Sequence, residues 1–361
     1  METERSSNFR KRRRNRRIFY VFVGLFLVGY TLFWKTYNDL NLTSNNIFNN
    51  LNTKNMRESE VTIEATQPIS FAFLGVDNGA QGRTTDSGRS DAIIIGTVNP
   101  KTRTTTLVSL PRDTYALMAD YELYEDVPYY DKLTHAYAFG EAEMAINSIQ
   151  ELINIPIDYY VEVNMQGFID IIDSLGGITV TSPLSFEERG FIFEEDKEYV
   201  MDGEQALVFA RMRMFDPEGD FGRQKREKMV IKAILDKVLS LGTLTNYNSI
   251  IETLEDNVKT NLTFKDMTTM VRTYGKALEN FETKNLIGEE LWLDDIYYLY
   301  TYPEDRLEVS NKLRDQLEIT NIELEDLNLS DVDYNYYYEP SYEYYEEDYS
   351  ADEYVEDYSE Y

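Results

Sequence analysis

The sequence predicts an α/β (α+β) body, a central mixed β-sheet flanked by helices, preceded by one N-terminal transmembrane helix. Three observations carry this. Through the middle of the chain, short runs rich in β-branched and aromatic residues alternate with segments of helical spacing. A hydrophobic share of 42% over 361 residues is enough for a sizeable core. Near the N-terminus a cationic block precedes an uncharged apolar run.

The elements follow in order. Residues 1–17 hold eight Lys/Arg and two Glu, and the run from Ile18 to Trp34 carries no charge before Lys35 closes it. Seventeen helical residues reach about 26 Å, enough for a bilayer core with snorkelling flanks. Tyr20, Tyr30 and Trp34 suit the interfaces, and no small-x-small cleavage site follows, which favours a retained signal anchor over a cleaved signal peptide. The positive-inside bias leaves residues 1–17 in the cytoplasm and everything after Lys35 outside a single-pass cell membrane. Anionic membrane lipid accounts for the basic block. Residues 35–67, polar and Asn-rich, are expected to form an extracellular stalk.

A folded domain is expected over residues 68–325. "ISFAFLGVD" (69–77), "DAIIIGTVN" (91–99), "TTTLVSLPRD" (104–113), "IDYYVEVN" (157–164) and "ITVTS" (178–182) read as strands. "EAEMAINSIQELI" (141–153) and "MQGFIDIIDSL" (165–175) have helical spacing, and Gly176-Gly177 marks a turn. "EQALVFARMR" ends a helix or enters a strand. "DFGRQKREKMVIKAILDKVLSLG" (220–242) is a helix with Asp220 as N-cap and Gly242 just past its end. Residues 245–320 read as further helices with some strand. From 326 onward disorder is expected, because residues 331–361 hold eleven Tyr, twelve carboxylates and no Lys/Arg.

Composition excludes several chemistries. There is no Cys, so there is no disulfide, thiolate zinc site or Cys nucleophile. His135 is the sole histidine, and a structural role is expected for it. A net charge of −30 argues against a nucleic-acid-binding body, so no nucleic acid is expected among the partners.

Against that acidity, "VFARMRMFDPEGDFGRQKREK" (208–228) gathers Arg211, Arg213, Arg223, Lys225, Arg226 and Lys228. Stepping about 100° per residue along the helix puts Val230, Ile234, Val238 and Leu241 on one stripe. Arg223 and Glu227 fall in its middle and Arg226 on its shoulder, while Lys225, Lys228 and Lys232 fall opposite. The lysines are therefore expected in solvent and dispensable. Arg223 points at the body, where either an internal ion pair with Glu227 or Asp220 or an anionic ligand at the helix N-terminus would satisfy it. If "VFARMR" is extended, Arg211 and Arg213 share one face and call for an anion between them, such as a pyrophosphate. Upstream, "GRSD" sets Arg89 and Asp91 before a strand, "GVD" ends another with Asp77, and "LPRD" ends a third with Arg112. Carboxylates at neighbouring strand ends can hold one divalent cation.

Together, "FLGVD…RSDAIIIGTVNPKT…TLVSLPRDTY", "DKLTHAYAFG", "IDYYVEVNMQGFIDIIDSLGGITV", "DGEQALVFARMR" and "GDFGRQKRE" resemble the LytR-CpsA-Psr family of Gram-positive bacteria. The resemblance implies an extracellular transferase that moves an anionic glycopolymer, a teichoic acid or capsule-like polysaccharide, from a polyprenyl-pyrophosphate carrier onto peptidoglycan. It maps Mg²⁺ (or Mn²⁺) ligation onto Asp77 and Asp91, and pyrophosphate contacts onto Arg89, Arg112, Arg211, Arg213, Arg223 and position 227. At that last position Gln is expected and Glu227 departs from the pattern. Asp91 and Arg112 are the candidate catalytic pair. Two other readings stay open: a non-enzymatic membrane regulator (a transcriptional attenuator of cell-wall genes) and a pyrophosphatase acting on the lipid carrier.

Overall fold

The near-continuous burial of residues 69–77 and 104–110 is that of strands covered on both faces. A computed structural model describes residues 47–59, 61–63, 66–77, 88–124, 127–240 and 257–338. The anchor expected at 18–34 lies outside them, and among the described residues no helix is long and apolar enough to cross a membrane.

In chain order the elements are β1 (Ile69–Asp77), β2 (Arg89–Asn99), β3 (Thr104–Leu110), β4 (Tyr115–Tyr124), β5 (Val127–Lys132), α1 (Leu133–Ile153), β6 (Tyr159–Asn164), α2 (Met165–Ser174), β7 (Ile178–Thr181), β8 (Phe186–Glu188), β9 (Phe191–Phe193), β10 (Glu198–Met201), α3 (Gly203–Arg211) and α4 (Asp220–Ser240). Then come β11 (Val258–Thr260), α5 (Phe264–Tyr274), β12 (Asn280–Asn285), β13 (Glu289–Leu293), β14 (Ile296–Tyr300), α6 (Pro303–Leu317) and α7 (Asp331–Tyr338). The central sheet has the order β11-β6-β1-β2-β3-β12. It is mixed: β6 and β12 lie parallel to β1 and β3, while β2 and β11 run antiparallel to their neighbours.

Period-two alternation divides the sheet between two cores. Ala72, Leu74 and Val76 of β1 face the layer of α1 and α6, where Ile146, Ile149, Val309 and Leu313 are buried. Phe71 and Phe73 face the opposite side with Leu262, Met270 and Tyr274 near α5. A third core joins α2, α3 and β7–β10 to Val230 of α4. The Gly176-Gly177 turn is as expected, with φ of 73° and 86°, values that glycine adopts without steric cost.

Three expectations change here. The described part of the stalk packs on the body: Ile47 and Ile63 are buried, Asn49 N–H donates to the Thr260 carbonyl, and Arg57 pairs with Asp158 at 2.6 Å. The Asn-rich composition hid the aliphatic anchors Ile47, Leu51, Val61 and Ile63. The tail is helical over Asp331–Tyr338, because Ser330 and Asp333 close a reciprocal cap on α7 and acids crowd its positive end. Leu329–Tyr361 forms a packing unit distinct from Met1–Asn328. Finally, "VFAR" is helical rather than extended, with α3 running to Arg211 and Met212 capping it. Gly242 and most of 245–258 lie outside the described residues.

Candidate functional site

The site forms where β1, β6 and β3 end and β2 begins. β1 and β6 are parallel, with Val76 beside Asn164, so their C-terminal ends open on the same side. β2 carries a bulge there: Gly75 pairs with Ala92 and Val76 with Ser90, leaving Asp91 as the extra residue. A bulge re-aims the side chain it carries. A cavity of ≈ 250 Å³ results, lined by Asp77, Asp91, Arg112, Arg211, Arg213 and Arg223 together with Asp220 and Glu227. Seven of the eight residues assigned to the site from sequence line this one cavity. Arg89, the other, pairs by backbone with Asp77 and is exposed at its edge, outside the lining.

Carboxylates hold the arginines in place. Arg112 Nη1 donates to Asp91 Oδ1 at 2.9 Å and its Nε lies 3.5 Å from Asp113. Arg223 lies 2.9 Å from Asp220 and 2.6 Å from Glu227, and its Nη1 also donates to the Asp91 carbonyl at 3.3 Å. Both internal partners foreseen for Arg223 are therefore present. Arg213 and Arg223 do not face each other bare, since Asp220 sits 3.8 Å from one and 2.9 Å from the other. Burial opposes the charge on Asp220, but hydrogen bonds from Arg223 and Gln224 and the charge of Arg213 outweigh it and hold this carboxyl below its ordinary range.

Glu227 behaves differently. Burial pushes its carboxyl up to about 7, against the pull of Arg223. One oxygen binds Arg223, and the other is buried without a hydrogen bond to any described residue. At neutral pH this carboxyl retains part of its proton, so it can donate where a glutamine would.

Two cations fall elsewhere than expected. Lys228 is 2% exposed, not solvated; its Nζ donates to Ser109 Oγ at 2.8 Å, to the Lys284 carbonyl and to Asn285 Oδ1. Burial lowers its ammonium to about 8. The helical wheel assumed one buried face, but α4 lies between the third core and the β3–β12 edge and is covered on two sides. Arg226 is completely buried, pairing with Asp216 and donating to the carbonyls of Phe209 and Met212. It closes the C-terminal end of α3 and fixes the loop that presents Arg211 and Arg213. Lys225 is exposed as expected. His135 lies outside the cavity lining, with Nδ1 2.8 Å from Asp131.

The sequence reading missed the cavity's other wall. Asn164 caps α2 by accepting from Gly167 N–H, and Met165, Phe168, Leu207 and Ala210 line an apolar side. The available signal was "VNMQGF", a strand running directly into a capped helix. A second cavity of ≈ 220 Å³ is lined almost wholly by apolar side chains of the sheet, α4 and α5. Phe71 and Phe73 of β1 and Val161 of β6 border it, while Gly75, Asp77 and Val163, on the same strand faces, border the charged cavity. From Phe71 to Gly75 is about 13 Å along the strand. α4 spans both cavities, with Arg223 and Glu227 at one and Leu235 and Leu239 at the other.

The donor chemistry at the strand ends is oxygen only. Among the described residues no group of three or more metal-type ligands occurs. Two carboxylates, Asp77 and Asp91, on one cavity wall fit Mg²⁺, which commonly takes one or two protein carboxylates and completes its shell with water and substrate phosphate.

Fold and site thus define a class: a mixed-sheet protein with an arginine- and aspartate-lined anion cavity and an apolar cavity on the same sheet face. The sequence profile of the LytR_cpsA_psr family matches residues 33–315, and the chain belongs to that family. It is 36% identical over 315 residues to the polyisoprenyl-teichoic acid–peptidoglycan teichoic acid transferase TagU of Enterococcus faecalis, covering 84% of this chain and 98% of that one. The crystal structure of protein gbs0355 from Streptococcus agalactiae superposes with a TM-score of 0.66 at 35% identity, over 75% of this chain and 93% of the other. A structure of TagT bound to LI-WTA gives 0.59 at 28% identity, over 73% and 95%. The chain's reaction is that of a transferase.

Proposed function

We propose that this chain is a membrane-anchored extracellular phosphotransferase. It moves an anionic glycopolymer, a teichoic acid or capsule-like polysaccharide, from a polyprenyl-pyrophosphate carrier to peptidoglycan. The observation that supports this is a pair of cavities bordered by the same faces of β1 and β6 and by α4, one charged and one apolar. An amphiphile with a polyanionic head and a long hydrocarbon chain matches that pair.

In this reading Arg112, Arg211, Arg213 and Arg223 neutralise the pyrophosphate and the leaving lipid phosphate, which is most of what phosphoryl transfer requires. Glu227, in its protonated form, donates to a phosphate oxygen. Asp91, held through its carboxylate by Arg112 and through its carbonyl by Arg223, accepts the proton of the acceptor hydroxyl. Asp77 and Asp91 are the residues that would hold Mg²⁺ (or Mn²⁺), which when bound supplies further charge neutralisation at the phosphates. Ligation would compete with proton acceptance at Asp91. The anchor at 18–34 keeps the enzyme beside its membrane-borne donor.

The test uses the full chain in detergent with a synthetic polyprenyl-pyrophosphate saccharide and a peptidoglycan oligosaccharide. A phosphodiester-linked product that requires divalent cation is expected. Release of free sugar phosphate, without linkage to the acceptor, would identify a pyrophosphatase instead.

A further inference from the structure

The β13–β14 hairpin contributes no residue to the charged cavity, yet its root is fastened to the segment that follows the cavity residue Arg112. Its two turn residues, Asp294 and Asp295, have φ of 47° and 63°, as a tight two-residue hairpin turn requires. Its root is tied to the segment following Arg112: Leu299 N–H donates to the Asp113 carbonyl at 2.8 Å, and Thr114 bridges to Leu299. One face of the hairpin is anchored, with Tyr298 edge-on to Tyr115 at 5.2 Å. On the other face Trp292 and Tyr297 are cross-strand partners, their rings 5.5 Å apart and T-shaped. Lys132 Nζ lies 5.7 Å from the Tyr297 ring and pairs with Asp113. Tyr297 is within electrostatic reach of Arg213 and Asp220, both of which line the charged cavity. Trp292 is 62% exposed, so its ring is open to a ligand.

The order of these parts along the sheet matters. Along β3 and the residues that follow it, Thr105 and Leu107 line the apolar cavity, Arg112 lines the charged one, and Asp113 and Thr114 then meet the hairpin. Attacking and leaving oxygens lie roughly in line in phosphoryl transfer. With the lipid in the apolar cavity, the leaving phosphate departs inward along β3 and the acceptor arrives from the outer end, where Trp292 stands. The apolar C–H face of a pyranose ring packs well on an exposed indole, and a rigid aromatic offers that area at low entropic cost.

From this we infer that Trp292, backed by Tyr297, is the stacking platform for a sugar ring of the acceptor glycan. This rests on the transferase reading above. The experiment is a two-substrate kinetic analysis of full-length protein, using the polyprenyl-pyrophosphate saccharide as donor and a peptidoglycan oligosaccharide as acceptor. Trp292→Ala is expected to raise the acceptor KM about tenfold with the donor KM unchanged, a loss in keeping with one aromatic contact. Trp292→Tyr should restore most of the affinity, and Trp292→Leu, apolar but without a flat face, should not. An unchanged acceptor KM in Trp292→Ala overturns the proposal, as does full rescue by leucine. A shift confined to the donor KM also overturns it. So does a loss seen only as weaker sedimentation with anionic phospholipid vesicles, which would make the hairpin a membrane contact. If the unmodified protein transfers nothing, the transferase reading fails first, and the two failures are thereby distinguished.

Discussion

Arg112 joins the strand ends to the charged cavity through its contact with Asp91. Arg112→Ala is expected to lower kcat/KM by about 10²–10³ while the protein stays folded, checked by transfer kinetics alongside circular dichroism. Glu227 sets a pH dependence. Its carboxyl is raised to about 7, so below that pH it is protonated and donates, and above it an anion faces the phosphates. The donor KM should therefore rise as pH increases through 7, and Glu227→Gln should flatten that rise; matching profiles would remove Glu227 from phosphate binding. Lys228 and Lys225 look alike in the string and differ in the fold. Lys228→Ala leaves Ser109 and Asn285 without their donor and should cost about 1–3 kcal/mol in denaturant unfolding. Lys225→Ala should stay within about 0.5 kcal/mol of the parent. A helical wheel separates a buried face from an exposed one only when the helix has one neighbour, and α4 has two.

Between residue and molecule, the α3–α4 connection organises the site. Arg226 binds Asp216 and the carbonyls at the end of α3, and Gly222 makes room for this, since a Cβ there would fall on the Asp216 carboxylate. Breaking a buried ion pair by removing one partner costs about 3–5 kcal/mol. Arg226→Ala should show that loss in unfolding, together with a raised donor KM, because the end of α3 and the turn after it, which bear Arg211 and Arg213, are released. The sequence reading grouped these arginines correctly but by the wrong geometry. Arg211 is the last residue of a helix and Arg213 follows its cap, so they converge through a turn and not along one strand face. The bulge that singles out Asp91 was illegible for a similar reason: the strand was expected to begin at Asp91, whereas β2 begins at Arg89, and the extra residue exists only relative to its partner β1.

At the scale of the molecule, two cavities share one sheet face, and the inner one makes a claim about the donor's chain. Val271→Trp would fill part of the apolar cavity. Overpacking of about 1–3 kcal/mol should raise the KM of a long-chain polyprenyl donor roughly tenfold or more, and leave a short-chain analogue unaffected. Equal effects on both donors would separate that cavity from the lipid. The anchor expected at 18–34 is testable by itself, since a reporter fused at residue 40 should lie outside the cell. By itself the sequence determined the alternation of strands and helices, the acidic body with its one cationic segment, and the family, because periodicity, composition and ordered motifs are local properties. The tertiary structure alone decided which cations line the cavity. Arg223 and Lys228 are five residues apart on one helix, and one reaches the cavity while the other fastens the sheet edge. Burial, pairing and the raised carboxyl of Glu227 depend on what other segments bring within a few ångströms, and that is set only when the chain has folded.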